Sequence, residues 1–461
     1  MKKLLVHARS NRRSPGAHGA RVCTALLACI GVALALGVVG QAAGSAPSFA
    51  RPTPYELGGA SFEDVAIADL NGDRKLDLAV TNEISSVYVL LNSGQGKFRG
   101  RRSYRTGADP AAMAIGDLNG DAKPDLVTAN RGDGDGKTVS VLLNRGAGTF
   151  ALRRDYETGP LPHSIAIGDL NGDRKPDLVT AGANSVSVLL NTGNGSFGAQ
   201  QDWQGGATPA SIAIGDLNGD AKPDLAITDD DADIVSVLLN SGDAGFEARR
   251  DYGTGEQPES VAIGDLNGDS KPDVVTANQT GETVSVLANG GDGTLRDRRD
   301  YRAGASPVAV AIADLNGDRK PDLATANSDG ASVSVLASRG DGTFAARRNY
   351  GAGESPEKVA SGDLNSDGKP DLAITNGVAD TGTLSVLRNT TGLCTVPNLR
   401  GKTRPVATKA VARANCRLGK IRRVYSKIVK TGRVISQTPK PGKVLRRGAK
   451  VNLVVSLGRM R

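Results

Sequence analysis

Seven short acidic segments carry the side chains in this sequence that are best suited to chemistry. The first segment reads DLNGDRKLD, and its positions 1, 3, 5 and 9 are Asp69, Asn71, Asp73 and Asp77. Side chains two residues apart in a tight turn converge on one point, and oxygen donors without His or Cys select a hard cation. The segment therefore predicts a cation-binding loop. Ca²⁺ is the expected ion, with the backbone carbonyl at position 7 as a further ligand.

The same pattern recurs along the chain, so that the expected ligands form seven sets. Successive segments are spaced 48, 52, 47, 49, 49 and 49 residues apart. One such turn alone is explained equally well by the turn preference of Asp and Asn, but seven copies with the fourth ligand in register favour metal binding. The complete expected set is Asp69, Asn71, Asp73, Asp77, Asp117, Asn119, Asp121, Asp125, Asp169, Asn171, Asp173, Asp177, Asp216, Asn218, Asp220, Asp224, Asp265, Asn267, Asp269, Asp273, Asp314, Asn316, Asp318, Asp322, Asp363, Asn365, Asp367 and Asp371.

Glycine stands at position 4 in all copies except the seventh. Its freedom to adopt a left-handed conformation would curl the loop at this point. In the seventh copy Ser366 replaces this glycine, and Gly368 stands two positions later. This last loop is therefore expected to turn differently from the others.

The elements that position these loops repeat with them. Each unit has an apolar strand before the loop, a second strand from its last Asp, an alternating third strand and a fourth strand from Phe to Tyr. A period of about 49 residues with four short strands is typical of a β-propeller blade. The Phe-to-Tyr strand also occurs at residues 49–55 and does not follow the last alternating strand. The predicted fold over residues 47–390 is mainly β, a seven-bladed β-propeller of four-stranded blades closed by the N-terminal strand.

The repeated units resemble the FG-GAP or VCBS repeats of integrin alpha-chain propellers and of many bacterial surface proteins. The resemblance covers about residues 47–390 and is carried by the number and register of the DLNGD-type segments. It implies a propeller in which the loop between the first two strands of each blade binds Ca²⁺ structurally, through residues matching positions 1, 3, 5, 7 and 9.

Charge is distributed unevenly along the chain. Residues 47–390 carry a net charge of −17, whereas residues 391–461 carry 19 basic and no acidic groups. This uneven charge predicts that the acidic residues 47–390 need counter-ions. It also predicts that the cationic residues 391–461 attract anionic polymers. One Ca²⁺ in each loop would offset most of the acidic excess.

The residue pattern of positions 1–46 predicts a signal peptide or an N-terminal anchor. A basic stretch precedes an apolar run at residues 22–40, and small residues follow through Ala46. This order is typical of a cleaved secretory signal, but the run is also just long enough to span a bilayer. The expected location is secreted or cell-envelope associated, with a membrane anchor as the open alternative.

The basic residues 391–461 predict a separate small αβ domain. The elements VPNLRG at residues 396–401 and VISQTPKPG at residues 434–442 resemble those of PASTA domains, found in penicillin-binding proteins and wall-sensing kinases. The resemblance implies peptidoglycan or another anionic wall polymer as the ligand; a solvated basic cap without a specific ligand is the alternative. Cys394 and Cys416 remain after signal cleavage, and an even pair in an exported chain predicts a disulfide.

Catalysis has few candidate residues in this sequence. After residue 46 the sequence has one histidine, His163, and no cysteine outside the expected disulfide. The residues needed for a catalytic Ser/His/Asp or Cys/His site, or for a zinc site, are therefore not all present. The pairs of acidic residues recur in every copy of the repeat, whereas the residues of an active site should occur in only one copy. The prediction is a calcium-binding scaffold for adhesion, not an enzyme, with an unknown protein or glycan ligand. The alternative is a calcium-dependent polysaccharide hydrolase or lyase. Nucleic-acid binding is not expected, because the basic tail has only one aromatic residue, Tyr425.

Overall fold

The structure is a computed structural model, and it describes residues 46–58, 61–132, 136–377, 382–445 and 448–460. The predicted signal or anchor segment, residues 1–46, lies outside the described residues except for its last position. The described chain is nearly all β, with one α-helix. Among these residues no helix is long and apolar enough to cross a membrane.

Seven four-stranded antiparallel sheets, numbered here in chain order, occupy residues 53–387. The first strand of the chain, β1 (Thr53–Glu56), belongs to sheet 7. The strands that follow are β2 (Phe62–Ala68), β3 (Asp77–Asn82), β4 (Ser86–Asn92) and β5 (Phe98–Arg105) in sheet 1; β6 (Pro110–Gly116), β7 (Asp125–Asn130), β8 (Thr138–Leu142), the hairpin β9 (Asn144–Gly146) and β10 (Thr149–Phe150), and β11 (Arg154–Glu157) in sheet 2; β12 (Ser164–Gly168), β13 (Asp177–Gly182), β14 (Ser185–Leu189), the hairpin β15 (Asn191–Gly193) and β16 (Ser196–Phe197), and β17 (Gln201–Gln204) in sheet 3; β18 (Pro209–Gly215), β19 (Asp224–Asp229), β20 (Ile234–Leu238), the hairpin β21 (Asn240–Gly242) and β22 (Gly245–Phe246), and β23 (Arg250–Gly253) in sheet 4; β24 (Pro258–Gly264), β25 (Asp273–Asn278), β26 (Thr283–Asn289) and β27 (Leu295–Arg302) in sheet 5; β28 (Pro307–Ala313), β29 (Asp322–Asn327), β30 (Ser332–Leu336) and β31 (Arg348–Gly351) in sheet 6; and β32 (Pro356–Gly362), β33 (Asp371–Asn376) and β34 (Thr383–Leu387) in sheet 7.

The core lies between neighbouring sheets. The second strand of every sheet is buried along its whole length, because a neighbouring sheet covers each of its faces. In one apolar cluster Phe62 and Leu78 of sheet 1 pack with Leu364 and Ala373 of sheet 7. Side chains of this kind gain roughly 1.5–3 kcal/mol each when fully buried. Packing between sheets is therefore the main source of stability in this region.

Contacts between neighbouring sheets continue from the last sheet to the first. The first strand of each sheet contacts the first strand of the next, and β32 of sheet 7 contacts β2 of sheet 1. The N-terminal strand β1 pairs antiparallel with β34, with Thr53 opposite Val386 and Tyr55 opposite Leu384. The predicted use of the N-terminal strand as the outer strand of the last sheet is confirmed.

Aromatic side chains join the fourth strand of one sheet to the hairpin of the next. Tyr104 stands edge-to-face against Phe150 with ring centroids 5.2 Å apart, and its hydroxyl donates to the carbonyl of Gly148 at 3.0 Å. Trp203 takes the place of the tyrosine in sheet 3 and packs on Phe246 at 5.4 Å, but its indole N–H has no partner. These contacts add about 0.5–1.5 kcal/mol each beyond burial.

The C-terminal module forms its own small core. Its elements are β35 (Cys394–Thr395), α1 (Arg404–Arg413), β36 (Arg417–Val424), β37 (Val434–Thr438), β38 (Val444–Leu445) and β39 (Lys450–Ser456). Helix α1 begins with a proline in its first turn and buries Ala407 and Val411 against the sheet of β36, β39 and β37. The disulfide between Cys394 and Cys416 is confirmed.

We expect the N-terminal strand to be necessary for a stable monomer. A chain that begins at Gly58 lacks β1 and the edge-to-face contact between Phe49 and Tyr350, whose ring centroids are 5.1 Å apart. The exposed edge of β34 should then pair with other chains, so the protein should aggregate and melt at a lower temperature. Light scattering after size exclusion measures this against a chain that begins at Ala46. An equally stable monomer would contradict the expectation.

Candidate functional site

The seven acidic loops share one backbone conformation. Loop 1 joins β2 to β3, and the other loops join the corresponding strands of sheets 2 to 7. The glycines at position 4 have φ between 77° and 83°, and the non-glycine residues at position 6 have φ between 61° and 66°. In loop 7 the same two positions are Ser366 with φ 60° and Gly368 with φ 81°. The expectation that loop 7 turns differently is therefore wrong, because glycine has only changed places between two left-handed positions.

The side chain at position 1 holds each loop in this shape. In loop 1 the carboxylate of Asp69 accepts from the N–H groups of Gly72 at 2.8 Å, Asp73 at 3.1 Å and Arg74 at 2.6 Å. Asn71 Oδ1 accepts from the N–H of Asp73 at 2.8 Å. The oxygens of positions 1 and 3 thus both face the inside of the loop. This arrangement recurs in loops 2, 4, 5 and 6. In loop 3 the carboxylate of Asp169 accepts from the N–H of Arg174 but its Oδ1 has no partner, and in loop 7 the amide of Asn365 donates to Asp371 Oδ2 at 2.8 Å.

The carboxylate at position 9 has a different environment. Asp77 is fully buried and accepts from the N–H of Leu70 at 3.1 Å and from the N–H of Asn92 at 2.7 Å. Burial raises the pKa of Asp77 to about 6, with smaller contributions from Asp73 and Asp69. Burial likewise raises the pKa of Asp322 and Asp371 to about 7. A charged carboxylate is therefore costly at this position, and a cation nearby would offset the cost.

A lysine at position 7 of every loop already supplies one positive charge. In loops 1 to 3 its ammonium group lies 2.7–2.8 Å from the carboxylate at position 5, as Lys75 does with Asp73. In loops 5 and 6 it donates instead to a backbone carbonyl of the following turn, as Lys320 does to Arg339 at 2.6 Å. The lysine is thus a neighbouring counter-charge that the sequence analysis did not consider.

The donor set tests whether the loops fit Ca²⁺. Within the described residues, no three carboxylate, imidazole or thiol groups lie close enough together to form a metal centre on their own. Positions 1, 3 and 5 nevertheless offer carboxylate and amide oxygen atoms, and one of them, Asp169 Oδ1, is buried without a hydrogen-bond partner. Oxygen donors of this kind match the preference of Ca²⁺. These three positions therefore fit the ion, whereas the assignment of position 9 as a ligand stays a prediction.

A buried asparagine connects each loop to the next sheet. Asn144, which follows the third strand of sheet 2, donates to the carbonyl of Leu70 in loop 1 at 3.0 Å and to that of Pro124 in its own loop at 2.9 Å. Asn92 makes the corresponding bond from sheet 1 to Leu364 of loop 7 at 2.7 Å. Six of the seven sheets make this connection, through Asn92, Asn144, Asn191, Asn240, Asn289 and Asn389. In sheet 6 the residue is Ser338, and the N–H of Gly342 donates to the carbonyl of Leu266 at 3.3 Å. The equivalent backbone bond in sheet 2, from Gly148 to Leu70 at 3.2 Å, accompanies that of Asn144.

A second candidate site is a pocket of about 660 Å³ at the start of the first strands. Because the acidic loops follow the ends of these strands, the pocket and the loops lie at opposite ends of the sheets. The residue six positions before each acidic loop lines the pocket in all seven sheets, and these residues are Glu63, Ala111, His163, Ala210, Glu259, Val308 and Glu357. The repeat symmetry is therefore broken here, contrary to the sequence-based argument that acidic groups recur in every copy.

The surface of the C-terminal module is strongly basic. Every lysine and arginine among its described residues is exposed. Since residues 391–461 contain no acidic side chain, none of these charges is neutralised within the module. An exposed surface of one sign attracts polymers of the opposite sign.

Comparison with known families agrees with this organisation. The family model described as FG-GAP-like repeat matches residues 69–128, 117–180, 169–227, 216–276, 265–325 and 314–374. The chain belongs to the FG-GAP-like repeat family. A second family model, described as PASTA domain, matches residues 395–457. FG-GAP-like repeats with a PASTA domain indicate a binding or adhesion scaffold with a wall-binding module, and an extracellular or envelope location.

Solved structures similar to this FG-GAP-like chain support a propeller-like fold. Two crystal structures titled "BBS1N in complex with ARL6DN", soaked with lead and with mercury, have TM-scores of 0.53 and 0.52 at 13% and 14% identity. They cover 74% and 75% of this chain and 96% and 97% of their own. A lectin of Agrocybe aegerita, titled for its recognition of non-reducing terminal N-acetylglucosamine, has a TM-score of 0.47 at 21% identity, over 63% of this chain and 80% of its own. No curated protein matches the chain.

We expect Asn144→Ala to destabilise the repeat region. The substitution removes the partner of the carbonyl of Pro124 and of the N–H of Gly146, and it leaves the carbonyl of Leu70 with only the N–H of Gly148, at 3.2 Å. The loss should be about 3 kcal/mol, because buried groups left unpaired cost about 1–3 kcal/mol each and part of the site can relax. Urea denaturation measures it.

Two variants serve as controls for this loss. Asn144→Ser should be milder, because Ser338 occupies the equivalent position in sheet 6. Thr192→Ala removes an exposed hydroxyl bond and should change stability by less than about 0.5 kcal/mol. Equal losses for Asn144→Ala and Thr192→Ala would refute a special role for the asparagine.

Proposed function

We propose that this protein is an exported, calcium-loaded seven-bladed β-propeller, closed by its N-terminal strand, that acts as a wall-associated binding scaffold. Its PASTA domain contacts peptidoglycan or another anionic wall polymer, and its propeller presents a ligand-binding face. Residues 47–390 form the propeller and residues 391–461 the basic domain. Export rests on the signal-like residues 1–46, with an uncleaved anchor as the alternative.

Closure of the ring is supported by contacts at the junction between sheets 7 and 1. There β32 contacts β2, Asn92 donates to Leu364 of loop 7, and Phe62 packs with side chains of both sheets. The pocket lined by one equivalent residue from each of the seven sheets carries this proposal, since equivalent residues meet around one cavity when sheets are arranged in a ring.

Calcium binding is supported by the carboxylate and amide oxygens that positions 1, 3 and 5 offer inside the loops. In loop 1, Asp69, Asn71 and Asp73 would hold the ion. The ion supplies positive charge inside a loop whose carboxylates repel one another. The side chains of this loop already hold its backbone in the curled form, so that little reorganisation is needed on binding. The calcium role is therefore structural, and it stabilises the ring at its loops.

Binding is proposed in preference to catalysis. None of the described residues that line the pocket is a serine or a cysteine. Its one imidazole belongs to His163, whose pKa is lowered by burial and by Arg131. The hydroxyl of Thr208 in the lining donates to Asp229 Oδ1 at 2.9 Å, so a nucleophile paired with an imidazole base is not assembled there. A polysaccharide hydrolase or lyase would have to rely on the glutamates of the pocket, and reducing-end assays on wall polysaccharides test that alternative.

We expect the calcium-free protein to melt at a clearly lower temperature than the calcium-loaded protein. Ions that bind only the folded state stabilise it by mass action, by about 2.7 kcal/mol per site at a hundred times the dissociation constant. Calorimetric titration should count about seven ions with dissociation constants between micromolar and millimolar, the range of sensor and extracellular sites.

Paired variants assign the ions to the loops. Asp117→Asn with Asp121→Asn should remove one ion, because these residues are positions 1 and 5 of loop 2. Asp243→Asn changes an exposed carboxylate outside the loops and should remove none. A melting temperature indifferent to chelator and to added calcium would defeat the proposal.

We also expect the full chain to sediment with purified peptidoglycan and to be released by salt, because screening weakens attraction between exposed charges. Arg422→Glu with Arg423→Glu reverses two exposed charges on β36 and should weaken binding several-fold. Arg99→Glu with Arg105→Glu reverses two exposed charges on β5 of the propeller and should leave binding unchanged. Equal effects of the two variants would count against a role of the PASTA domain.

A further inference from the structure

The pocket at the start of the first strands has the size and the lining of a small-molecule site. Its volume of about 660 Å³ lies within the range of about 300–1,000 Å³ that is usual for ligand pockets. Ala111, Ala183, Ala210 and Val308 supply apolar walls, and they alternate with charged and amide side chains. Apolar walls with a few polar groups are typical of pockets that bind an organic molecule.

The charged lining differs between the two sides of the pocket. On one side Arg131 Nε lies 2.7 Å from Asp109 Oδ2, and the same guanidinium group lies 3.7 Å from Glu63 Oε1. This arginine is thus held by two acids and has little charge to offer a ligand. The only other base among the described lining residues is Lys358.

The acids of the lining outnumber these bases. They are Glu63, Asp230, Glu259 and Glu357, against Arg131 and Lys358. Burial raises the pKa of each of the three glutamates, and Glu357 adds to the rise at Glu63 and Glu259, while Arg131 lowers the pKa of Glu63 and the shared cation Lys358 lowers the pKa of Glu259 and of Glu357. The glutamates come from sheets 1, 5 and 7 and act on one another across the pocket. Uncompensated negative charge therefore gathers inside this cavity.

An organic cation suits this arrangement better than a bare metal ion. No three carboxylates within the described residues lie close enough to share a metal. An ammonium group carries its charge on three donors that can reach acceptors several ångströms apart. The apolar walls would contact the carbon skeleton of such a molecule, and Thr208, Asn184 and Gln279 add hydroxyl and amide groups to the lining.

We propose that this pocket binds a small ligand that carries a primary ammonium group, with Glu259 and Glu357 as its carboxylate partners. The site is separate from the calcium loops, which follow the opposite ends of the first strands. The equivalent positions in the other sheets carry alanine, valine, histidine and Glu63, which lies beside Arg131, so one rotational arrangement of the ligand is selected. The chemistry is that of an amine, whether it belongs to an amino sugar or to an alkyl diamine.

Calorimetry and ligand-observed NMR on the full chain in saturating calcium test this proposal. The probes are D-glucosamine and cadaverine, with N-acetyl-D-glucosamine as the uncharged counterpart of the first. We expect one saturable site for an amine probe and at least tenfold weaker binding of the acetylated sugar, the factor expected for loss of a charged hydrogen bond. Binding of glucosamine alone would identify an amino sugar, and binding of cadaverine would identify an alkyl amine; either result supports the proposal.

Two variants locate the site. Glu259→Gln with Glu357→Gln should weaken amine binding at least tenfold. Glu247→Gln changes a carboxylate on the fourth-strand side of sheet 4 that is 51% exposed, and it should have no effect. Melting in the same samples, with and without chelator, reports the calcium loops independently. The proposal is overturned if neither amine binds, if the acetylated sugar binds equally well, if the double variant binds normally, or if added calcium displaces the amine from the pocket.

Discussion

The hydrogen bond between a buried asparagine and the acidic loop of the neighbouring sheet is the interaction on which the rest of the structure depends. In six of the seven sheets this residue stands at the end of the third strand, and its amide reaches the carbonyl at position 2 of the adjacent loop, as Asn144 does to Leu70. The carbonyl of Leu70 also accepts from the N–H of Gly148 at 3.2 Å, so two donors of sheet 2 meet at one oxygen of loop 1, and a net stabilisation of about 0.5–1.5 kcal/mol is expected for each bond. Neighbouring sheets are therefore held at a fixed distance at their loop ends.

Each acidic loop both offers ligands for an ion and takes part in the contact between neighbouring sheets. The carboxylate at position 9 accepts from the backbone N–H of the same asparagine, as Asp77 does from Asn92, while positions 1, 3 and 5 shape the interior of the loop. Any ion that orders the loop thereby also orders the joint between two sheets. In the proposed function, metal binding and the stability of the ring are therefore coupled.

The repeat was readable from the sequence because its signals are local. The spacing of the DLNGD segments, the alternation of the strands and the extra Phe-to-Tyr strand at residues 49–55 predicted repeated four-stranded sheets and the pairing of β1 with β34. The small αβ domain was equally predictable, and so was the disulfide. Strand β36 is hard to predict from sequence because its residues, RLGKIRRV, alternate poorly and include four basic side chains.

Other features of the site could not be found this way because their partners are distant in the chain. Asn92 and Leu364 are 272 residues apart, and nothing near Asn92 indicates the bond. The left-handed conformation at position 6 could not be predicted in loops 1 to 6, because Arg, Ala or Ser stands there. Only Gly368 in loop 7 is a residue type that indicates this conformation. Glu63, Glu259 and Glu357 are separated by 98 residues or more. Aligning the seven repeats at the position six residues before each acidic loop would have revealed that these glutamates stand where other copies have alanine, valine or histidine.

The most direct test of the account is to locate the ions. Crystals of the full chain grown with calcium and then soaked in terbium, with diffraction recorded at the terbium absorption edge, would show each bound ion as an anomalous peak. We predict peaks inside the acidic loops, each beside the oxygens of positions 1, 3 and 5, as at Asp69, Asn71 and Asp73 of loop 1. Loops without any peak, with their carboxylates bonded only to backbone N–H groups and lysines, would contradict the claim that these repeats are held together by calcium.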